Sequence, residues 1–500
     1  MQDSKINSEI YNIPENSSFY IYGSGALGRY VYEKIQEYRS DLTILGFIDK
    51  KAESADYEEY GLIVTSFEKW LNASSSDIYI ATNAYYTDVV EMLREQQLEE
   101  NILNYRAELL GQDESVDEDN DITLRNSHEV FMKPGPGFEE FDAVHLDNNA
   151  TIAKLIAVYL PQFYPFPEND NWWGTGFTEW RNVTRGHARF NGHFQPRLPR
   201  DLGYYDLRRT EVLEQQVRLA RESGIHGFCF YYYNFNNKRL LDIPLDNFVN
   251  NESIDFPFCI MWANENWTRR WDGMDEKILI KQEYDEQNDL ALIADISRYL
   301  KHPEYIHRYG QPLFFIYNPR EIPNAKDRIS RWRELFSQQG VEPLIYMVQR
   351  LMDDDPLQYG LDGALELPPH KLSSTLPLQN LQLTNKAKDF DGNYYSYEHL
   401  IEESLSQTSE LYPLIKTVIP DWDNEARRPN KGHGFVGSTP EKFQQWLTDV
   451  IRLSQQTNDQ EDAIVFINAW NEWAEGAYLE PDVYWGSAYL NAIKRCLNAL

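Results

Sequence analysis

The chain has 500 residues, 42% of them hydrophobic, enough to fill one barrel-sized core and one smaller core. Its 79 acidic and 47 basic residues give a net charge of −32, which repels phosphate backbones and anionic lipid, so nucleic acid and membrane surfaces are poor partners. Cys229, Cys259 and Cys496 make no disulfide framework, no stretch approaches the roughly 18 apolar residues of a membrane span, and the opening MQDSKINSEIYNIPENSS lacks a signal peptide's apolar centre, so the expectation is a cytoplasmic protein with no transmembrane segment.

Residues 1–111 contain FYIYGSGALG: an apolar run from Phe19 to Tyr22, then Gly23, Gly25 and Gly28 in G-x-G-x-x-G spacing, then a helical pattern through Tyr38. A second strand, LTILGFID, ends in Asp49, about where a dinucleotide fold puts its ribose-binding acid, and DIYIAT from Asp77 to Thr82 adds a third. The expectation is a small Rossmann-like βαβαβ domain. Such glycines let the backbone approach a pyrophosphate at a helix N-terminus, which makes Gly23, Gly25, Gly28 and Asp49 candidates for holding a nucleotide or nucleotide-sugar. Only half of a doubly wound dinucleotide fold fits this length, and a structural or docking module that keeps its turn glycines for packing is the alternative. Residues 112–150, acid-rich from Asp113 to Asp121 and loop-like through KPGPGFEEF, read as an acidic linker with connecting loops.

Residues 151–500 show eight short apolar runs: KLIAVYLPQF, GIHGFCFYYYNF, FPFCIMWANENW, QPLFFIYN, PLIYMVQR, DGALELPP, YPLIKTVIPDWDN and AIVFINAWNEW. Helical patterns TEVLEQQVRLARESG, NDLALIADISRYLKH, KDRISRWRELFSQQG, YEHLIEESLSQ and TPEKFQQWLTDVIRLSQQ separate most of them, several closing on glycine as a helix C-terminus does. This alternation predicts an α/β chain with a C-terminal (β/α)8 TIM barrel; an open parallel sheet is the alternative, because the sixth strand and the helices after the second and fifth are faint.

A barrel's reactive groups project from the C-terminal ends of its strands, and most of the 13 tryptophans fall there. Trp173, Trp180, Trp267, Trp422, Trp470 and Trp473 offer flat apolar faces with a polar N–H, suited to sugar rings, or else they plug the barrel mouth. Tyr159, Gln162, Glu179, Tyr232, Asn264 and Asn471 are expected to line the mouth. Glu265 could bind hydroxyls or act as an acid/base with Glu472, while Asp421 and Asp423, with Arg427 and Arg428 nearby, could hold hydroxyls or a leaving phosphate, or form an internal ion pair. The 10 histidines show no metal-binding spacing, so no metal is implied.

Glu472 and Glu475 are the catalytic candidates. On a continuing strand an offset of three sends them to opposite faces, roughly 10 Å apart, so joint action requires a turn after about Asn471. Aromatic surroundings and a neighbouring carboxylate would keep one protonated as an acid while the other stays ionised, as glycosidic bond cleavage needs; two solvated loop carboxylates are the alternative.

At these residues the chain resembles a family. NAWNEWAEGAYLEP is similar to the active-site signature of family 99 glycoside hydrolases, endo-acting α-mannosidases on a (β/α)8 barrel. YLPQFYPFPENDNWWGTGFTEW, FCFYYYNF, MWANENWTRRWDG, PDWDNEARR and STPEKFQQWL resemble, in the same order, the related WbsX family found with bacterial O-antigen and capsule genes. The resemblance implies a retaining mechanism: Glu472 takes a proton from the substrate 2-hydroxyl, whose oxygen attacks the anomeric carbon, and Glu475 serves as acid and then base. One departure is Ala474, where the hydrolases carry histidine. The expected function is a carbohydrate-active enzyme of surface polysaccharide metabolism acting on α-linked mannose- or rhamnose-like sugars, with no cofactor for the barrel. A nucleotide-sugar-dependent glycosyltransferase and a non-catalytic glycan-binding protein are the alternatives.

Overall fold

The computed structural model describes residues 13–24, 26–49, 52, 56–73, 77–81, 86–96, 98, 101–103, 130–147, 153–269, 274–350, 355–407, 411–457 and 463–500. The chain divides into two compact units, Met1–Val116 with Ser374–Gln382, and Asp117–Ser373 with Leu383–Leu500.

The first unit holds a five-stranded sheet in the order Tyr57–Glu59, Leu62–Thr65, Thr43–Ile48, Ser18–Tyr22, Asp77–Ile80. All neighbours run parallel except the edge hairpin Tyr57–Glu59/Leu62–Thr65, which the sequence reading missed together with the short helix Phe67–Ala73. Phe19, Ile21 and Phe47 are fully buried, as continuous apolar runs in a parallel sheet must be. Gly23 adopts φ +102°, and a Cβ on Gly28 would lie 1.9 Å from the Gly23 carbonyl oxygen, so helix Ala26–Tyr38 sits this close to the strand end only because Gly28 has no side chain. The Asp49 carboxylate accepts from the Ser24 amide at 2.8 Å and from its hydroxyl at 2.7 Å. Gly25 lies outside the described residues.

In the second unit eight strands pair in parallel around a ring: Lys154–Tyr159, Gly227–Phe235, Phe258–Trp262, Gln311–Ile316, Leu344–Gln349, Gly363–Glu366, the pair Leu414–Ile415 and Thr417–Val418, and Ile464–Ile467. The seventh strand closes the circle. Its first half pairs with the sixth strand and its second half with the eighth, while the carbonyl of the intervening Lys416 accepts from the Phe466 amide at 3.0 Å. Rings fill the centre, with Phe315 and Phe466 centroids 5.2 Å apart.

Helices Thr210–Glu222, Glu286–Leu300, Ala325–Gln338, Tyr397–Ser406 and Pro440–Thr457 stand where the apolar spacing predicts them. Helix Ile243–Asn250 follows the second strand, and after the fifth only the 3-10 turn Pro356–Tyr359 occurs among the described residues. Residues 130–147, expected as connecting loops, instead dock on the chain's end: the Gly135 amide donates to Tyr484 O at 2.9 Å and the Ser487 amide to Glu139 O at 2.8 Å. All three cysteines are buried and unbonded. Among the described residues no helix is long and apolar enough to cross a membrane.

Candidate active site

The eighth strand ends in a tight hairpin. Asn471–Glu472 pairs antiparallel with Ala477–Tyr478, a 3-10 turn over Trp473–Glu475 joins them, and Gly476 at φ +66° completes the reversal. Turning rather than continuing places Glu472 and Glu475 on one side, against one guanidinium. Arg427 Nη2 lies 3.0 Å from Glu472 and Nη1 2.5 Å from Glu475. Its Nε, at 2.7 Å, takes a third carboxylate, the fully buried Glu179.

The segment after the seventh strand delivers Arg427 by pairing each of its acids with a basic side chain from residues 189–197. Arg197 holds Asp421 at 2.7 Å, His193 holds Asp423 at 2.5 Å and Arg189 holds Glu425 at 2.5 Å. Burial alone would raise Asp423, but His193 and Arg197 hold it down at about 2. The Asp423 amide donates to Glu475 O at 2.6 Å, tying this segment to the hairpin. Alternating acids are committed here because an unpaired buried charge costs several kcal/mol.

Three carboxylates around one guanidinium carry surplus negative charge, so the cluster retains a proton at neutral pH. Burial pushes Glu472 up to about 8 against the pull of Arg427, with Glu475 and Glu179 adding to the rise. Burial pushes Glu475 up as well, but Arg427, His370 and the Trp422 indole N–H at 3.3 Å outweigh it and hold that carboxyl below the ordinary range. Burial raises Glu179 too, so within the cluster Glu475 is the carboxyl held acidic, while Glu472, the group the resemblance casts as base, is pushed the other way.

The pair faces a cleft of about 520 Å³ at the C-terminal mouth of the barrel. Gln162, Trp173, Glu265 and Trp267 line it as expected. Glu265 is paired with Arg350 and accepts from Asn318 Nδ2 at 3.1 Å. Leu160, Tyr231, Tyr233, Tyr317, His370 and Asn468 also line it and escaped the sequence reading.

The remaining expected mouth residues are structural. Tyr159 and Tyr232 point outward to Gln216 and Asp295, because strand neighbours alternate faces and the cleft takes Leu160, Tyr231 and Tyr233 instead. Asn264 is fully buried and clamps the third strand end to the fourth, donating to Asn318 O and accepting from its amide, each at 2.7 Å. Asn471 clamps the eighth to the first through both polar atoms of Leu160. Trp180, Trp470 and Trp473 are buried: Trp180 donates to Tyr205 O at 2.8 Å, Trp470 packs on Phe228, and Trp473 donates to Glu480 at 2.6 Å while stacking on Tyr478. Glu179 and Trp422 stand behind the carboxylate pair, and Asp421 and Asp423 are sealed in their ion pairs, so neither aspartate reaches a ligand.

A family model described as "Glycosyltransferase WbsX" matches residues 155–493. Two proteins called "Uncharacterized protein WxcX", from Xanthomonas campestris pv. campestris, are similar. That of strain B100 is 40% identical over 380 residues, covering 75% of this chain and 54% of its own length. The strain ATCC 33913 protein is 42% identical over 346 residues, covering 69% and 50%. This chain thus spans about half the length of the curated relatives it matches. Among solved structures, a GH99 endo-alpha-mannosidase from Bacteroides thetaiotaomicron aligns at TM-score 0.44 and 15% identity over 69% of this chain and 96% of that one. A "Glycoside hydrolase-like protein" aligns at TM-score 0.44 and 16% identity over 76% and 99%. The barrel stands on its own strand pairing and not on these likenesses. Matched over more than half its length by that model, the chain belongs to the WbsX glycosyltransferase family.

Proposed function

We propose that this chain is a carbohydrate-active enzyme of bacterial surface polysaccharide biosynthesis, cleaving or transferring an α-glycosidic bond of the mannoside or rhamnoside kind with retention of configuration. The observation that carries the proposal is the carboxylate pair Glu472 and Glu475, held on one guanidinium at the floor of an aromatic-walled cleft. Glu472 takes the proton of the sugar 2-hydroxyl; that oxygen bonds to the anomeric carbon as the glycosidic bond breaks and Glu475 protonates the departing oxygen. Water or an acceptor hydroxyl then opens the strained ring, giving its proton to Glu475 while the 2-oxygen regains one from Glu472. Two displacements at one carbon restore its configuration. The first step needs Glu475 protonated and Glu472 ionised, the reverse of the directions in which the free cluster shifts them, so the mechanism requires substrate binding to redistribute the cluster's proton.

The test is proton NMR of the purified chain with α-mannan and α-rhamnan fragments, alone and with an acceptor saccharide. Product of unchanged anomeric configuration, abolished in Glu472→Gln and Glu475→Gln, is the expected result; inverted product rejects the mechanism. A second reading, transfer from a nucleotide-sugar, is favoured by the description of the matching family as a glycosyltransferase. The first unit would contribute the nucleotide-binding candidates Gly23, Gly25, Gly28 and Asp49, although Gly23 and Gly28 already have a packing reason and Asp49 already holds Ser24. Titration with GDP-mannose and dTDP-rhamnose separates the readings: binding that Gly23→Ala removes would favour the second.

A further inference from the structure

Two groups that the proposed chemistry leaves unused face the same cleft. Tyr231, in the second barrel strand, and Tyr317, directly after the fourth, line it from the two sides of the third strand, their rings 5.9 Å apart and nearly perpendicular. Both side chains are half-buried, and a phenol at the wall of a cleft pairs either with a neighbouring side chain or with whatever fills the cleft. Here the neighbouring cleft tyrosine, Tyr233, has a side-chain partner, accepting from Gln162 Nε2 at 3.2 Å. Neither Tyr231 nor Tyr317 has a hydrogen bond to its hydroxyl among the described residues.

Resting on the reading of this site as a sugar site, we propose that Tyr231 and Tyr317 are specificity-determining donors that select a glycan by a free hydroxyl on the sugar bound against Glu472 and Glu475. The two phenols and the two carboxylates line one cleft, and no hydrogen bond joins either phenol to a carboxylate among the described residues. A sugar hydroxyl in this cleft can accept from a phenol while donating its own proton to a carboxylate oxygen. Deoxy and O-methylated sugars satisfy neither partner. Burial raises both phenols, for Tyr317 against the opposing pull of Arg350, so both keep their protons near neutral pH and can donate. Arg350, over the Tyr317 ring at 4.6 Å, fixes that ring's plane. A site built to pair with a hydroxyl rejects the analogue that lacks it far more strongly than an apolar pocket rejects a missing methylene.

The experiment is a binding cycle with the full chain. Methyl α-mannoside and methyl α-rhamnoside, each with its 2-, 3- and 4-deoxy derivatives, are titrated into wild type, Tyr231→Phe and Tyr317→Phe, with circular dichroism confirming that each variant folds. Each phenylalanine variant should weaken binding about tenfold or more for the parent sugar and for all derivatives except one, on which it matches wild type. A loss that is uniform across the series, or no loss at all, overturns the proposal, as does failure of both parent sugars to bind. Binding requires no turnover, so a chain that shows the coupling yet converts no glycan would sink the catalytic reading and leave this inference standing.

Discussion

The ends of the seventh and eighth barrel strands carry nearly the same residues and use them oppositely. Asp421-Trp422-Asp423 follows the seventh; Glu472-Trp473-Ala474-Glu475 follows the eighth. Both put acids on either side of an indole. After the seventh strand Asp421 meets Arg197, Asp423 meets His193 with Arg197 close by, and both acids are closed off, so they serve to anchor the loop. After the eighth, two acids share a single guanidinium with a third, which leaves them under-neutralised and open to a cleft. Pairing stoichiometry, not residue type, separates an anchor from a reactive centre.

Breaking that contrast should produce its largest effect at the shared cation's partners. Glu475→Gln is expected to cut turnover about 10³-fold or more in the NMR assay, within the range for losing a general acid/base, with the melting temperature nearly kept. Asp421→Asn should do the reverse: buried Arg197 keeps only the more distant Asp423, at 4.0 Å, and the loss in urea unfolding should approach the roughly 3–5 kcal/mol of a broken buried pair. Equal turnover losses in the two variants would erase the distinction. Arg427→Met bridges both regimes. It leaves three carboxylates facing one another, so it should cost a comparable amount of stability at neutral pH, and much of that cost should vanish near pH 4, where the carboxyls protonate.

A pH series sharpens the comparison further. Glu472 is raised from an ordinary value near about 4.3 to about 8 in the folded chain, so its contribution to stability is complete below the unfolded value and is lost as pH rises through the folded one. Glu480, raised by burial to about 7, and Asp482, raised by burial to about 6, act in the same direction. Urea midpoints should therefore fall between about pH 5 and 8, and Glu472→Gln should flatten that slope. Asp423 is held at about 2, so its stabilisation is present above the unfolded value and lost only as pH falls toward about 2; Asp423→Asn should leave the slope between pH 5 and 8 unchanged.

The strand succession was readable because parallel strands buried on both faces must be apolar throughout, and the five helices because their stripes repeat at 3.6 residues. The acidic pair was readable from its indole setting. Missing was everything that depends on parity or on long-range partners. Tyr159 and Tyr232 lie one residue from true cleft positions, since FYYYNF gives no cue as to which face turns inward. The fate of Asp421 hangs on Arg197, 224 residues away in sequence. Arg427 was considered for a phosphate or an internal pair, but a hub for three glutamates is a property of the fold and not of the local string PDWDNEARR.

The hairpin gives the smallest and most local perturbation. Gly476 occupies a left-handed conformation, and a Cβ there would sit 3.1 Å from both the Arg197 guanidinium and the Asp423 amide nitrogen. Gly476→Ala thus adds strain of about 1–2 kcal/mol at the point where the anchored segment and the catalytic turn touch. The strain can relax in two directions. If the Asp423 side is the stiffer one, as its paired acids imply, the turn must yield, and Glu475 shifts on Arg427 while Asp421 and Asp423 stay in place. The measurable consequence is a loss of turnover exceeding the loss of stability, with the pH slope between 5 and 8 altered. An alanine variant that loses stability and keeps full turnover would mean that the anchored segment gives way first, and that its ion pairs are not what holds the carboxylate pair in register.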